Sequence, residues 1–354
     1  MNYLHKFDII SFQNDLLAWY EHHQRKLPWR ENKDPYSIWI SEIMLQQTKV
    51  DTVIPYFNRF KQLFPTVFDL AKADEQAVLK AWEGLGYYSR ARNLHHAAKQ
   101  IVEQYDGVMP SNPKELGALK GIGPYTKGAI LSIAFNQPEP AVDGNVMRVY
   151  SRLLKIEENI ADQKVRKLFE SVVRETIAVQ DPSSFNQAVM ELGALVCTPK
   201  SPSCLLCPVQ QYCRAFQEGI ESELPIKSKA KKQRVIPYVV LLLEKANGSY
   251  AIQQRPSEGL LANLWQFPMI PIAEIGFDHI ENWVQAEYGL TIQLGKKCGE
   301  LRHVFSHIIW EIEIYHAQVI EDEEDHAFQF VLKEELDTYP FPTSHINIMK
   351  KMED

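Results

Sequence analysis

Four cysteines sit close together as C-x6-C-x2-C-x5-C: Cys197, Cys204, Cys207 and Cys213, with Pro208 after the third. Thiols spaced this closely are cross-linked or hold a metal. Intervals of six, two and five residues are not the paired CxxC…CxxC of a zinc ribbon. An uneven four-thiolate run suits a [4Fe–4S] cluster, with zinc and disulfides as the alternatives. The fifth cysteine, Cys298, stands alone and reads as a small buried side chain.

Two carboxylates stand in chemically suggestive places. Glu42 lies in DPYSIWISEIMLQQT, where Asp34 can cap a helix and Pro35 suits its first turn. On that helix Ile38, Glu42 and Leu45 share a face beside Trp39 and Ile43. Desolvation there raises a carboxyl pKa, as a general acid requires. A Glu at the edge of a buried face, paired with a cation, is the equal alternative. Asp143 precedes Gly144, Asn145 and a helical run; its local role is helix N-cap, which keeps it ionised. In LKGIGPYTKGAI, Gly121 and Gly123 flank one apolar residue ahead of an Ala/Ile-rich helix. Such a turn can aim backbone N–H groups at a phosphate and let nucleic acid approach closely. An ordinary glycine turn is the plainer reading, but the helical flanks favour a helix–hairpin–helix over 119–130.

These residues need elements to hold them. Up to about Gly219, segments such as QAVLKAWEGL and ARNLHHAAKQIVEQY repeat apolar residues at helical spacing. Residues 220–234 turn polar, with five basic residues between Lys227 and Arg234, and read as a linker. Beyond it, YVVLLLEKANGSYAIQQR gives two strand-like runs joined at Asn247-Gly248, and HVFSHIIWEIEIYHAQVI is also strand-like. The expectation is a mainly α region at 1–219 carrying a metal loop at 197–213, then an α+β domain at 235–354. EDEEDH at 321–326 reads as a solvated loop.

The chain has 354 residues, enough for two cores. No apolar run reaches the roughly 18 residues of a membrane span, and MNYLHKFDII is no signal peptide. A reducing cytoplasmic setting is therefore expected, nucleoid-associated in a bacterium. The net charge of −7 hides an asymmetry: residues 1–234 hold 30 Lys+Arg and 26 Asp+Glu, residues 235–354 hold 8 and 19. A phosphate surface belongs to the first part.

The hairpin, AVDGNVMRV at 141–149 and the cysteine string together resemble the endonuclease III superfamily of helix–hairpin–helix base-excision glycosylases. LPWR at 27–30, SEIMLQQT at 41–48, GLGYYSRARNL at 84–94 and ELGALVCTP at 191–199 bring the resemblance closest to the adenine-removing branch. GLLANLWQFP at 259–268 and HVFSH at 303–307 are similar to its C-terminal 8-oxoguanine-reading domain, which is Nudix-like. The metal-binding Nudix signature is missing, with only a remnant near QAEYGL, so pyrophosphate hydrolysis is not expected. The resemblance covers nearly the whole chain, with its motifs in order.

The resemblance implies a monomeric, monofunctional glycosylase that takes adenine from duplex DNA where it faces 8-oxoguanine or guanine. It implies that Glu42 protonates adenine N7. Asp143 would support the oxocarbenium-like sugar, directly or through a covalent intermediate, with Tyr125 assisting. Lyase members carry a Schiff-base lysine where this chain has Tyr125; Lys127 lies about 200° further round a helix and would face phosphate or water. Arg25, Leu27, Trp29, Arg30, Gln187 and Glu191 match adenine-pocket positions, Gln187 at a place that varies between Gln and Glu. Gln47, Thr48 and Tyr87 match residues that enter the base stack or touch the lesion pair, although Tyr87 could pack beside a glycine turn. Arg90, Arg92, Gly121, Gly123 and Lys127 would meet the DNA backbone, a solvated helix face being the alternative for Arg90 or Arg92, with Lys200 and Arg214 near it beside a [4Fe–4S] cluster. Phe305, Ser306 and His307 would read 8-oxoguanine, which differs from guanine at N7 and O8. Two rivals remain: a glycosylase/lyase for oxidised pyrimidines, and a non-catalytic iron–sulfur protein that binds DNA or senses redox state.

Overall fold

Capping carboxylates and amides set the helix starts. Asp8, Asp34, Asp74, Asn112, Asp143, Asp162 and Asp181 each accept from a backbone N–H within the next three residues. A computed structural model describes residues 3–228, 232–322 and 328–352. Its first part runs α1 Ile9–His23, α2 Pro35–Leu45, α3 Val50–Leu63, α4 Val67–Lys72, α5 Glu75–Ala81, α6 Ser89–Tyr105, α7 Pro113–Ala118, α8 Pro124–Ile133, α9 Gly144–Leu154, α10 Gln163–Thr176, α11 Pro182–Leu195 and α12 Arg214–Glu218. No helix among the described residues is long and apolar enough to cross a membrane.

The chain divides into two compact units, one of 1–72 with 96–229, the other of 73–95 with 230–354. The first is held by interlocking helix faces. Phe12, Leu16 and Tyr20 of α1 meet Val146, Val149, Tyr150 and Leu153 of α9, Phe169 and Val172 of α10, and Phe185, Ala188 and Leu192 of α11. Burying one such side chain contributes about 1.5–3 kcal/mol. The mainly helical first part and the mixed C-terminal domain match expectation. The grouping of 73–95 with the C-terminal residues was not anticipated.

That grouping has a hydrogen-bonding basis. Trp265 Nε1 donates to Gln76 Oε1 at 2.9 Å, Phe341 N to Glu83 Oε1 at 2.8 Å, and Lys80 Nζ to Tyr339 O at 3.1 Å. Tyr88 Oη donates to Phe341 O, and Arg92 Nη1 to Ala262 O at 2.7 Å. Helical periodicity reports that residues 73–95 bury a face but not which partner covers it.

The second unit is built on a mixed sheet of β1 Arg234–Glu244, β2 Ser249–Gln254, β3 Trp265–Gln266, β4 Met269–Ile270, β5 Leu290–Val304, β6 Ile308–Asp322 and β7 Gln329–Leu332. Its order is β3-β2-β1-β6-β5, with β4 on β1 and β7 on β2; β1 and β6 run parallel. Alternation along β1 serves two cores. Val240 and Leu242 join Phe267, Trp310 and Ile348 on one face, while Val239, Leu241 and Leu243 join Ile280, Val284 and Leu290 on the other. Those faces are covered in turn by helices Thr343–Lys350 and Ile280–Tyr288, which follow a short helix, Ile272–Ile275.

The expected Asn247-Gly248 hairpin joins β1 to β2, with Gly248 at φ +79°. HVFSHIIWEIEIYHAQVI is broken into two strands by the turn at Phe305-Ser306-His307, closed by Phe305 N donating to Ile308 O at 2.9 Å. Cys298 is exposed, contrary to expectation, because it sits where the β5/β6 register slips. The linker's central residues 229–231 and most of EDEEDH lie outside the described residues.

Candidate active site and iron–sulfur centre

α2 is apolar on nearly every face, and Glu42 is carried into the interior with only 5% of its surface exposed. Tyr125, one residue into α8, donates its hydroxyl to Glu42 Oε2, and the same hydroxyl lies 3.5 Å from Met190 Sδ. Burial drives the Glu42 pKa up to about 7; the Tyr125 hydrogen bond opposes the rise and the Asp143 charge adds to it. Asp143 caps α9 through Val146 N at 2.7 Å and accepts from Asn145 Nδ2 at 2.8 Å. Burial raises its pKa too, and those donors restrain the rise. Glu42, Tyr125 and Asp143 line one cavity of about 180 Å³, comparable to engineered voids of roughly 150 Å³ that admit one aromatic ring.

An ion cluster forms another part of the lining. Glu191 of α11, 1% exposed, accepts from Arg25 N and Nε at 3.0 and 2.8 Å and from Arg30 Nη2 at 2.9 Å. Burial would raise its pKa, but the two guanidiniums outweigh it and hold Glu191 ionised below the ordinary range. Leu27, Trp29, Thr48 and Gln187 complete the lining with Arg25 and Arg30. Gln187 is turned back on its own helix, donating weakly to Ser183 O at 3.3 Å. The cavity thus combines a neutral-capable acid, a held anion and a cation-rich wall. No lysine is among its described lining residues.

Beside this cavity an open groove is lined by Gln47, Gly121, Gly123, Tyr125, Asp143 and Arg166. Gly121 adopts φ +79°, and a side chain at Gly123 would meet nothing within 4 Å, so the hairpin presents bare backbone. Lys127 packs beside Gly117 and lines neither space.

The second unit holds a separate cavity of about 550 Å³, lined by Tyr87, Tyr88, Arg92, Leu260, Phe305, Ser306 and His307. Gln47 and Tyr87, the two exposed residues expected to enter a base stack, both have left-handed backbones, at φ +59° and +47°. Non-glycine residues held there cost of order 1–3 kcal/mol each and cluster at functional sites. Arg90 departs from expectation. It is 9% exposed, lies over the Trp82 and Tyr87 rings, and donates to Leu85 O and Gly86 O. Its guanidinium is committed to the turn that carries Tyr87, as Arg92's is to Ala262 O. Arg214 likewise donates to Leu154 O and His5 O.

All four clustered thiols are free and line one small cavity with Arg152 and Glu221. Arg152, 2% exposed, donates to Cys197 Sγ at 3.3 Å and Thr198 O at 2.8 Å. Arg148 donates to Cys197 O and Gly193 O, both at 2.7 Å, and to Asn145 Oδ1 at 2.9 Å. Asn145 in turn donates to Asp143, so hydrogen bonds run unbroken from the cysteine loop to that carboxylate. Gly193 permits this closeness, since a Cβ there would stand 2.7 Å from Asn145 Cβ.

Comparison with known proteins identifies the family. An adenine DNA glycosylase of Rattus norvegicus is 35% identical over 87% of this chain and 70% of its own length, and one from Buchnera aphidicola is 36% identical over 84% of each. The chain belongs to the adenine DNA glycosylase family. It spans about 55% of the Arabidopsis thaliana relative, at 36% identity. The HhH-GPD superfamily base excision DNA repair model matches residues 40–175, a NUDIX domain model 239–351, and the iron-sulfur binding domain of endonuclease III 197–213. Among solved structures, a thermostable thymine-DNA glycosylase superposes at TM-score 0.53 with 25% identity, covering 59% of this chain and 97% of that one. An endonuclease III–DNA complex at 0.52 and 23% identity shares the fold, covering 60% of this chain and 97% of that one.

Family membership and the converging thiols assign Cys197, Cys204, Cys207 and Cys213 to a [4Fe–4S] cluster. The four thiolates would hold the cluster and be cross-linked through it, with Arg152 donating to Cys197 Sγ at 3.3 Å. Sequence reading missed Asn145, Arg148, Arg152 and Met190. The first three follow Asp143 at helical spacing, a signal available in hindsight; Met190 has none beyond its turn with Gln187 and Glu191.

Proposed function

We propose that this protein removes adenine from duplex DNA in which it faces 8-oxoguanine or guanine. The observation that carries the proposal is the Glu42–Tyr125–Asp143 constellation lining a base-sized cavity. Extrusion of the nucleotide brings adenine into that cavity. Glu42, protonated up to about pH 7, donates its proton to N7. The leaving base then departs neutral as the C1′–N9 bond breaks, with Asp143 opposite the developing sugar cation. Water supplies hydroxide to C1′ and a proton to the medium, leaving an abasic site. Tyr125 orients Glu42 where a lyase would carry its amine, which supports hydrolysis without strand cleavage.

In this reading Arg25, Leu27, Trp29, Arg30, Gln187 and Glu191 form the base-binding wall, Gln47, Thr48 and Tyr87 fill the vacated stack, and Phe305, Ser306 and His307 read the opposite base. Gly121 and Gly123 take backbone phosphate. Single-turnover excision tests this with three duplexes: adenine opposite 8-oxoguanine, adenine opposite guanine, and an oxidised pyrimidine opposite guanine. The expected result is adenine release from the first two, fastest from the first. Release of the pyrimidine with strand nicking, and no adenine, would overturn it.

A further inference from the structure

The groove next to the cavity contains a cation that none of the motifs predicts. Arg166 projects from α10 and lines the groove with Gln47, Gly121, Gly123, Tyr125 and Asp143. Its Nη2 donates to Val142 O at 2.7 Å, which ties the guanidinium to the residue preceding Asp143. Its Nε is buried without a hydrogen-bond partner, and Glu170 Oε1 stands 3.6 Å from that atom. The side chain remains 40% exposed. The guanidinium is therefore fixed at one corner by Val142 O, paired along its buried Nε edge with Glu170, and exposed to the groove over the rest of its surface.

Arginine presents a planar fork of donors that matches phosphate oxygens in pairs. A surface arginine held only by its charge would swing freely; this one is tethered within a residue of the aspartate that faces the sugar. A phosphate bound here would be located relative to Asp143 through a short covalent path. We propose that Arg166 binds a phosphodiester flanking the extruded nucleotide and thereby seats its C1′ over Asp143. The inference rests on the adenine-excision reading above, and makes Arg166 a substrate-positioning residue outside the hairpin motif.

The test is a cycle on binding. Duplexes carry adenine opposite 8-oxoguanine with one neutral methylphosphonate at the linkage 5′ or 3′ of the target, and Glu42→Gln protein keeps the base in place. Against an all-phosphate duplex, the neutral linkage on one side is expected to weaken the Arg166 protein about tenfold and the Arg166→Gln protein hardly at all. Arg166→Gln should also reduce the slope of log K against log salt by about one, with Arg166→Lys restoring most of it. Equal losses in both proteins at both linkages, or an unchanged salt slope, would overturn the proposal. If Arg166→Gln does not fold by thermal melting, Arg166→Met enters the same cycle, and the methylphosphonate scan on the Arg166 protein stands alone: no sensitive linkage refutes the seat. Wild-type adenine excision is measured in parallel. Intact excision without coupling removes only the phosphate seat, whereas coupling without excision removes the assigned reaction and leaves the seat.

Discussion

The Glu42 cavity and the Ser306–His307 cavity differ in what they can do to a base. The one in the helical unit is small and built from ionisable groups: Glu42, Asp143, Tyr125 and the Arg25–Arg30–Glu191 cluster. The one in the sheet-containing unit has about three times its volume and is lined by tyrosines, leucines, Phe305 and the Ser306–His307 pair, with no carboxylate among its described lining residues. A buried acid with a displaced pKa performs chemistry; an apolar wall with a few polar tips measures shape and hydrogen-bonding pattern. Under the proposed function one chain would separate reacting from reading, and substitutions in the two places should fail differently.

The sharpest separation comes from Glu42→Gln. Excision should fall by at least about 10²–10⁴-fold in single turnover while duplex affinity stays within a few-fold. Excision near the wild-type rate would end the assignment of Glu42. The same variant should unfold at a higher temperature than wild type at pH 8. Glu42's folded pKa is raised, so wild-type stability is full below the ordinary value near 4.5 and is lost as pH climbs to about 7. The accumulated penalty is on the order of 3 kcal/mol, and the variant escapes it. The gap in melting temperature should close toward pH 4.5.

The sheet-containing unit should show the opposite acid–base behaviour. His345 is fully buried, stacked with Phe267 and Phe341, beside the Ser344 hydroxyl and near Arg255 and His303. Burial pushes its pKa down to about 3, with the Arg255 charge adding to the effect. Below about pH 6.5 the unfolded chain takes up a proton that the folded unit refuses. Stability then falls by up to about 1.4 kcal/mol per pH unit until pH approaches 3. Denaturant titrations from pH 7 to 4 measure this, and His345→Gln should flatten the dependence; an equally steep loss in that variant would exclude His345 as the source.

Smaller effects refine the contrast. Excision should decline as pH rises through about 7, where Glu42 loses its proton. Tyr125→Phe removes a hydrogen bond that lowers the Glu42 pKa, so that limb should move to higher pH. A limb that stays put would show that the hydroxyl does not control Glu42. The smallest change is expected from Ser306→Ala with His307→Ala: a few-fold narrowing of the preference for 8-oxoguanine over guanine, about 1 kcal/mol, with the adenine–guanine rate unaltered. An unchanged ratio would take lesion reading away from the turn.

How much of this was legible in the sequence depends on whether the cause was local. Asp34 and Pro35 announce α2, its apolar run announces burial, and the displaced acid at Glu42 follows from both. The cysteine spacing is equally local. Arg90 is not legible in this way: sequence offers a basic residue on a helix two fates, phosphate or solvent, and the structure places it against ring faces and loop carbonyls instead. Arg166 escaped notice for the converse reason: its chemistry comes from Val142 O and the groove, both distant in sequence.

The membership of residues 73–95 in the C-terminal unit has a practical consequence for cutting the chain. A protease nick in the linker would not release a free domain, because the C-terminal fragment would still hold the N-terminal one through Tyr88, Arg92 and Gln76. Expressing residues 1–219 alone would strip α5 and the GLGYY turn of these partners. Fragment complementation, with the two halves supplied as separate polypeptides, is the cut this architecture is built to survive.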